Sequence, residues 1–157
     1  MSSTALGIVT SRKLSLRVRF LQQCLSFINY IETEIRYAHR VLSEIVQDYH
    51  NGMEFQAFLS AVCKTLEQKT PFPEAWSNTL KSVSSTYGLL RQDIELICNF
   101  GNELGSSDIN GQIALCQLHK KLLTATLETA LDEKNKKSKL YLMLGSSFGI
   151  CFAILLL

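Results

Sequence analysis

The chain has 157 residues, 16 lysines and arginines against 14 aspartates and glutamates, a net charge of +2, and 46% hydrophobic residues. That length supports one compact domain and not comfortably two once a terminal apolar segment is set aside. Residues 20–131 carry eight basic and twelve acidic side chains, a net of −4, which argues against the basic stripe of a nucleic-acid binder. Five cysteines, Cys24, Cys63, Cys98, Cys116 and Cys151, form no CxxC pair and leave an odd count. They argue against a secreted disulfide framework and fit a reducing compartment.

In chain order, residues 5–9 are apolar but far too short to span a bilayer, and no basic residue precedes them as in a secretory signal. The acid-free cluster Arg12, Lys13, Arg17 and Arg19 follows. It resembles the cytoplasmic flank of a membrane span, so residues 1–12 are read as the remnant of an N-terminal transmembrane segment whose encoded start lies upstream. Leu14, Leu21, Ile28, Ile35 and Leu42 then recur every seven residues, with Val18, Leu25 and Val46 interleaved. This predicts a long first helix with a bundle or coiled-coil seam. Glu32 and His39 occupy interleaved positions where apolar residues are expected, which favours a bundle over an isolated zipper.

Asn51-Gly52 is the first strong break. Phe55, Phe58, Leu59, Val62 and Leu66 predict a short amphipathic helix. Pro71 and Pro73 interrupt it, and Pro73-Glu74 opens the next helix, 74–83, with Trp76, Leu80 and Val83 on one side. Residues 84–88 read as a linker. Leu90, Ile94, Ile97, Phe100 and Leu104 restore helical spacing until Gly105-Ser106-Ser107-Asp108. Gly105 there stops one helix, and Asp108 can accept amide hydrogen bonds at the start of the next. The same loop is a docking candidate.

After Asn110-Gly111 the last helix continues without Pro or Gly as far as the apolar run, with a heptad-like stripe of Leu115, Leu118, Leu122, Ala125 and Thr129. Lys134, Lys136, Lys137 and Lys139 lead into eighteen uncharged residues, 140–157. A helix of that length covers about 27 Å, close to the ~30 Å hydrocarbon core. Leucine, isoleucine and phenylalanine each favour insertion by about 0.3–0.6 kcal/mol. The expectation is a C-terminal transmembrane helix, with 13–139 a bundle on the cytoplasmic side of its preceding lysines. Gly145 and Gly149 form a G-x-x-x-G that suits helix packing in the membrane and self-association. The basic clusters on either side lie where anionic headgroups would be.

Chemistry finds little purchase. His39, His50 and His119 are the imidazoles; Cys116 and His119 lie three apart on one helix, but two ligands do not make a zinc site. No Walker A, dinucleotide, G-x-S-x-G or H-E-x-x-H motif is present. Glu32/Glu34 and Asp93/Glu95 are spaced by two and diverge on a helix. No catalytic, cofactor or metal residue is assigned.

Phe100-Gly101-Asn102-Glu103-Leu104-Gly105-Ser106-Ser107-Asp108 resembles the F-G-x-x-L-G-x-S-D segment of the stage III sporulation protein AB family of endospore-forming bacteria. Ile31-Glu32-Thr33-Glu34-Ile35-Arg36-Tyr37 is similar to that family's L-E-x-E-I-x-Y. Glu74-Ala75-Trp76 resembles its E-A-W helix start, and Lys139-Leu140-Tyr141 with Leu144-Gly145 its last span. Two features depart from it. Arg40-Val41-Leu42 stands where the family has a proline, so the first helix is expected to run on toward Asp48, and the family's full first span is reduced to residues 5–9.

The resemblance implies an all-α antiparallel bundle like the F domain of type II secretion platforms. It implies a non-enzymatic role in the secretion-like complex of the mother-cell membrane around the forespore. The partners it implies are other stage III proteins, above all a secretion-type ATPase. The alternative is a tail-anchored coiled-coil tether, against which the breaks at Asn51-Gly52, Pro71, Pro73 and Gly105 argue.

Overall fold

The computed structural model describes the backbone of residues 2–38 and 42–155, and the side chains of 11–38, 42 and 44–137. Among the described residues there are six α-helices and no strand. They are α1 (Ser2–Thr33), α2 (Leu42–Asp48), α3 (Met53–Glu67), α4 (Phe72–Tyr87), α5 (Arg91–Glu103) and α6 (Ile109–Leu155), with a π-helical turn, Glu34–Ala38, after α1. Helices α1 and α6 run antiparallel. Arg17 reaches Glu133 at 3.0 Å near one end, and Lys120 reaches Glu32 near the other.

The sequence pattern suggested a narrow seam on α1, but the buried face is wider. Leu21, Ile28 and Val18 are buried as their spacing requires, and so are Phe20, Cys24, Phe27 and Ile31. The reason is that α1 is central. One side lies along α6, while Phe20 and Phe27 point into an aromatic cluster from α3 and α4. Ring centroids there lie 5.3 Å apart for Phe20–Phe55, 5.2 Å for Phe27–Phe55 and 4.8 Å for Phe58–Trp76. A helix apposed to neighbours on two sides needs more than a two-in-seven stripe.

Two expected boundaries differ. The first helix does not continue uniformly toward Asp48: its hydrogen bonding widens into the π turn at Glu34 and α2 starts at Leu42. A one-residue widening rotates the succeeding residues by about 100°, and Tyr37 is left 76% exposed. The linker expected at 84–88 is the last turn of α4. Ser82 and Ser84 donate their hydroxyls to the carbonyls of Thr79 and Lys81, at 2.7 and 2.8 Å, and so remain compatible with a helix. Tyr87 packs on Phe20 with centroids 4.9 Å apart. The stop is Gly88, at φ 67°.

Leu118, Leu122, Ala125 and Thr129, expected in the buried stripe of α6, all lie outside the buried face. The face turned inward carries Gln112, Leu115, Cys116, His119, Leu123 and Ala130. Among the described residues no helix is long and apolar enough to cross a membrane. The span read at 140–157, with Gly145 and Gly149, and the remnant at 1–12 fall largely outside the residues whose side chains are described.

Candidate functional site

At the end of the bundle where α1 gives way to the π turn, that turn meets the α5–α6 loop. Helix α5 stops when Gly105 takes φ 83°, a conformation that costs glycine little. Asp108 opens α6: its Oδ1 accepts the Gly111 N–H at 2.9 Å, and its carbonyl accepts the Gln112 N–H at 2.9 Å. Gln112, buried in the first turn of α6, ties the loop from inside. Its Oε1 accepts the Gly105 N–H at 2.8 Å and its Nε2 donates to Ser107 Oγ at 2.8 Å. Ser106 Oγ donates to the Glu103 carbonyl at 2.6 Å. Ser106, Ser107 and Asp108 thus stand in solvent on a loop whose backbone is held in place.

Beside the loop is a shallow groove of about 170 Å³, lined by Ile35, Leu42, Ile109, Gly105, Ser107 and Gln112. Ile109 is 45% exposed at its rim. Just inside it, buried Glu32 accepts from Arg36 at 2.7 Å, Lys120 at 2.5 Å and Gln117 at 3.4 Å. Burial works to raise the Glu32 pKa, but these donors outweigh it and hold the carboxyl below its ordinary value. The two motifs that carried the family resemblance therefore share one end of the molecule. Their inner residues, Ile31, Glu32, Phe100 and Leu104, are core. Their outer residues, Tyr37 and Ser106 to Asp108, are accessible.

The opposite end is organised by Arg17, read in the sequence as part of a headgroup-facing cluster. It is buried instead. Its Nε and Nη2 donate to the Asp93 carboxylate at 2.7 and 3.0 Å, and its Nη1 to Glu133 at 3.0 Å. Asp93 Oδ2 also accepts the Leu90 N–H at 2.8 Å, so one carboxylate caps α5 and neutralises Arg17. Arg19 reaches Glu54 at 3.3 Å, while Arg12 and Lys13 are exposed.

The acidic pairs separate as their spacing required. Glu32 and Asp93 turn inward, and Glu95 lies away from the core with Arg91 at 2.8 Å. Cys116 is buried, its thiol pushed up to about 11 by burial. His119 lies against Phe100, centroids 5.3 Å apart, with Nδ1 unpartnered, and burial lowers its pKa. Among the described residues no three His, Cys, Asp or Glu side chains stand together to hold a metal ion. Sequence reading missed Gln112 and the burial of Arg17. The available signal for Gln112 was a polar residue one turn after an N-cap aspartate, and for Arg17 a basic residue between the heptad positions Leu14 and Val18.

The sequence model for stage III sporulation protein AB matches residues 1–157. The chain is 26% identical to the stage III sporulation protein AB of Bacillus subtilis (strain 168), over 100% of this chain and 94% of that protein. No solved structure matches. With the whole chain matched, this protein belongs to the stage III sporulation protein AB family.

Proposed function

We propose that this chain is a non-enzymatic membrane platform in the secretion-like complex of endospore formation, its bundle of the type II secretion F-domain kind. It sits in the mother-cell membrane around the forespore with residues 13–139 facing the cytoplasm, and docks the complex's secretion-type ATPase. The carrying observation is the polarity of the bundle. Helix α1 begins and α6 leaves at the Arg17–Glu133 end, while the groove of Ile35, Leu42 and Ile109, with Tyr37 and the loop from Gly105 to Asp108, occupies the other. The apolar run 140–157 after the lysines serves as the anchor, and Gly145 and Gly149 pack it against another membrane helix.

The test is binding of the full chain, in detergent micelles, to the secretion-type ATPase. Tyr37→Ala and Ile109→Asp alter exposed side chains, so they are expected to abolish binding at an unchanged unfolding midpoint. Retained binding by both variants would move the docking surface away from this groove. Absence of binding by the folded wild type would remove the ATPase as partner.

The outward stripe of α6, with Leu118 53% and Leu122 44% exposed, favours a second reading in which that helix zips with a partner helix as a tether. Leu118→Glu would then abolish complex assembly while leaving ATPase binding intact.

A further inference from the structure

Opposite the groove, cations from two distant parts of the sequence share one end of the bundle with an exposed leucine. The Arg17–Glu133 contact sets α1 and α6 level at 3.0 Å. One turn outward on each helix stand Lys13 and Lys137, with Arg12 and Lys136 next to them in sequence and Lys134 following Glu133. None of these five has an ion pair among the described residues. The α4–α5 turn reaches the same level, because a Cβ on Gly88 would stand 2.9 Å from the Lys13 carbonyl oxygen. At its tip Leu90 is 43% exposed.

Acids at this end do not cancel the cations. Asp132 adds one negative charge, Glu133 and Asp93 together exceed Arg17 by one, and Arg91 is held by Glu95.

An exposed apolar side chain on the same end of the bundle as five cations matches the interface of an anionic bilayer, where a leucine reaches the acyl boundary and ammonium groups meet phosphates. An acidic protein or nucleic acid would use the cations and leave Leu90 without a role. Resting on the reading of the chain as membrane-anchored, we propose that residues 88–90 and these cations form a second contact with the anionic bilayer. This contact holds the bundle upright. Lys13 and Ile35 are separated by about 33 Å of helix at 1.5 Å per residue, so the groove is presented well away from the headgroups.

The experiment uses the full chain carrying Leu90→Trp, reconstituted in vesicles of equal parts phosphatidylglycerol and brominated phosphatidylcholine. Native Trp76 is fully buried and supplies a constant background. The new indole is expected to be quenched in these vesicles and much less in vesicles of brominated phosphatidylcholine alone. Lys136→Gln and Lys137→Gln on that background should each lower the docked-to-free ratio about fivefold. A chain that floats with the vesicles but shows no added quenching overturns this proposal and leaves the anchor standing. Equal quenching in both compositions overturns its dependence on anionic lipid. A chain that does not float with the vesicles overturns the anchored reading and this proposal together.

Discussion

The indole of Trp76 occupies the space where a Cβ of Gly101 would stand, and its Nε1 donates to the Ile97 carbonyl at 2.9 Å, one turn earlier on the same helix as the glycine. Helices α4 and α5 are thus brought together by one large residue and one absent side chain. Two segments that each resemble a family motif, Glu74-Ala75-Trp76 and Phe100-Gly101, turn out to be halves of a single contact.

Gly101→Ala should therefore destabilise the bundle, although alanine favours helix more than glycine does. The new methyl meets a fully buried ring with no room to withdraw, so the overpacking cost of about 1–3 kcal/mol exceeds the propensity gain. Denaturant unfolding read by circular dichroism checks this. In a Trp76→Leu background the same substitution should be nearly neutral or stabilising, because the opposing ring is gone.

Arg17 and Asp93 are both buried and joined by two hydrogen bonds. Removing one partner strands a charge, and Arg17→Met or Asp93→Leu alone should cost about 3–5 kcal/mol. The double replacement should recover much of that loss, since neither charge then needs a partner. A double-mutant cycle on unfolding free energy gives the coupling. Additive losses would show that the ion pair does not act as a unit.

Glu32 contributes to the acid limb of stability. Its folded pKa lies below the ordinary 4.5 because Lys120, Arg36 and Gln117 donate to it. The unfolded chain therefore takes up the proton first as pH falls. The stabilisation is fully present above the unfolded value and is lost as pH drops through the folded one. Glu32→Gln should be less stable than wild type at neutral pH by about 1–3 kcal/mol. The difference should shrink steadily below pH about 4.5, as a pH series of unfolding midpoints will show.

Much of the helical layout was legible because most boundaries have a local chemical cause. Gly52, Pro71, Pro73, Gly88 and Gly105 punctuate the chain where the helices begin and end. What periodicity could not give was which side of α6 faces inward. Leu118 and Leu122 look like core by composition. Yet the inner face is chosen by partners elsewhere in the sequence, Phe100 against His119 and Glu32 against Lys120. The burial of Arg17 was hidden for the same reason, since Asp93 lies 76 residues away. At the candidate site the loop residues were visible, but the groove needs Ile35 and Leu42 brought to Ile109, and only the fold does that.

The loop itself offers the sharpest separation between holding the fold and meeting a partner. Asp108 caps α6 through the Gly111 amide, and Gln112 fastens Gly105 and Ser107 from within. Asp108→Ala should cost about 0.5–2 kcal/mol of stability. Gln112→Ala should cost about 1–3 kcal/mol, because a buried amide network loses its centre. Ser106 contributes only a local hydroxyl bond to Glu103, and Ser106→Ala should stay within about 0.5 kcal/mol of wild type, as surface changes usually do. If the aspartate and glutamine act by shaping the loop, their variants lose stability and weaken the proposed ATPase binding in proportion to it. Loss of binding by Asp108→Ala at an unchanged unfolding midpoint would instead make its carboxylate a direct contact.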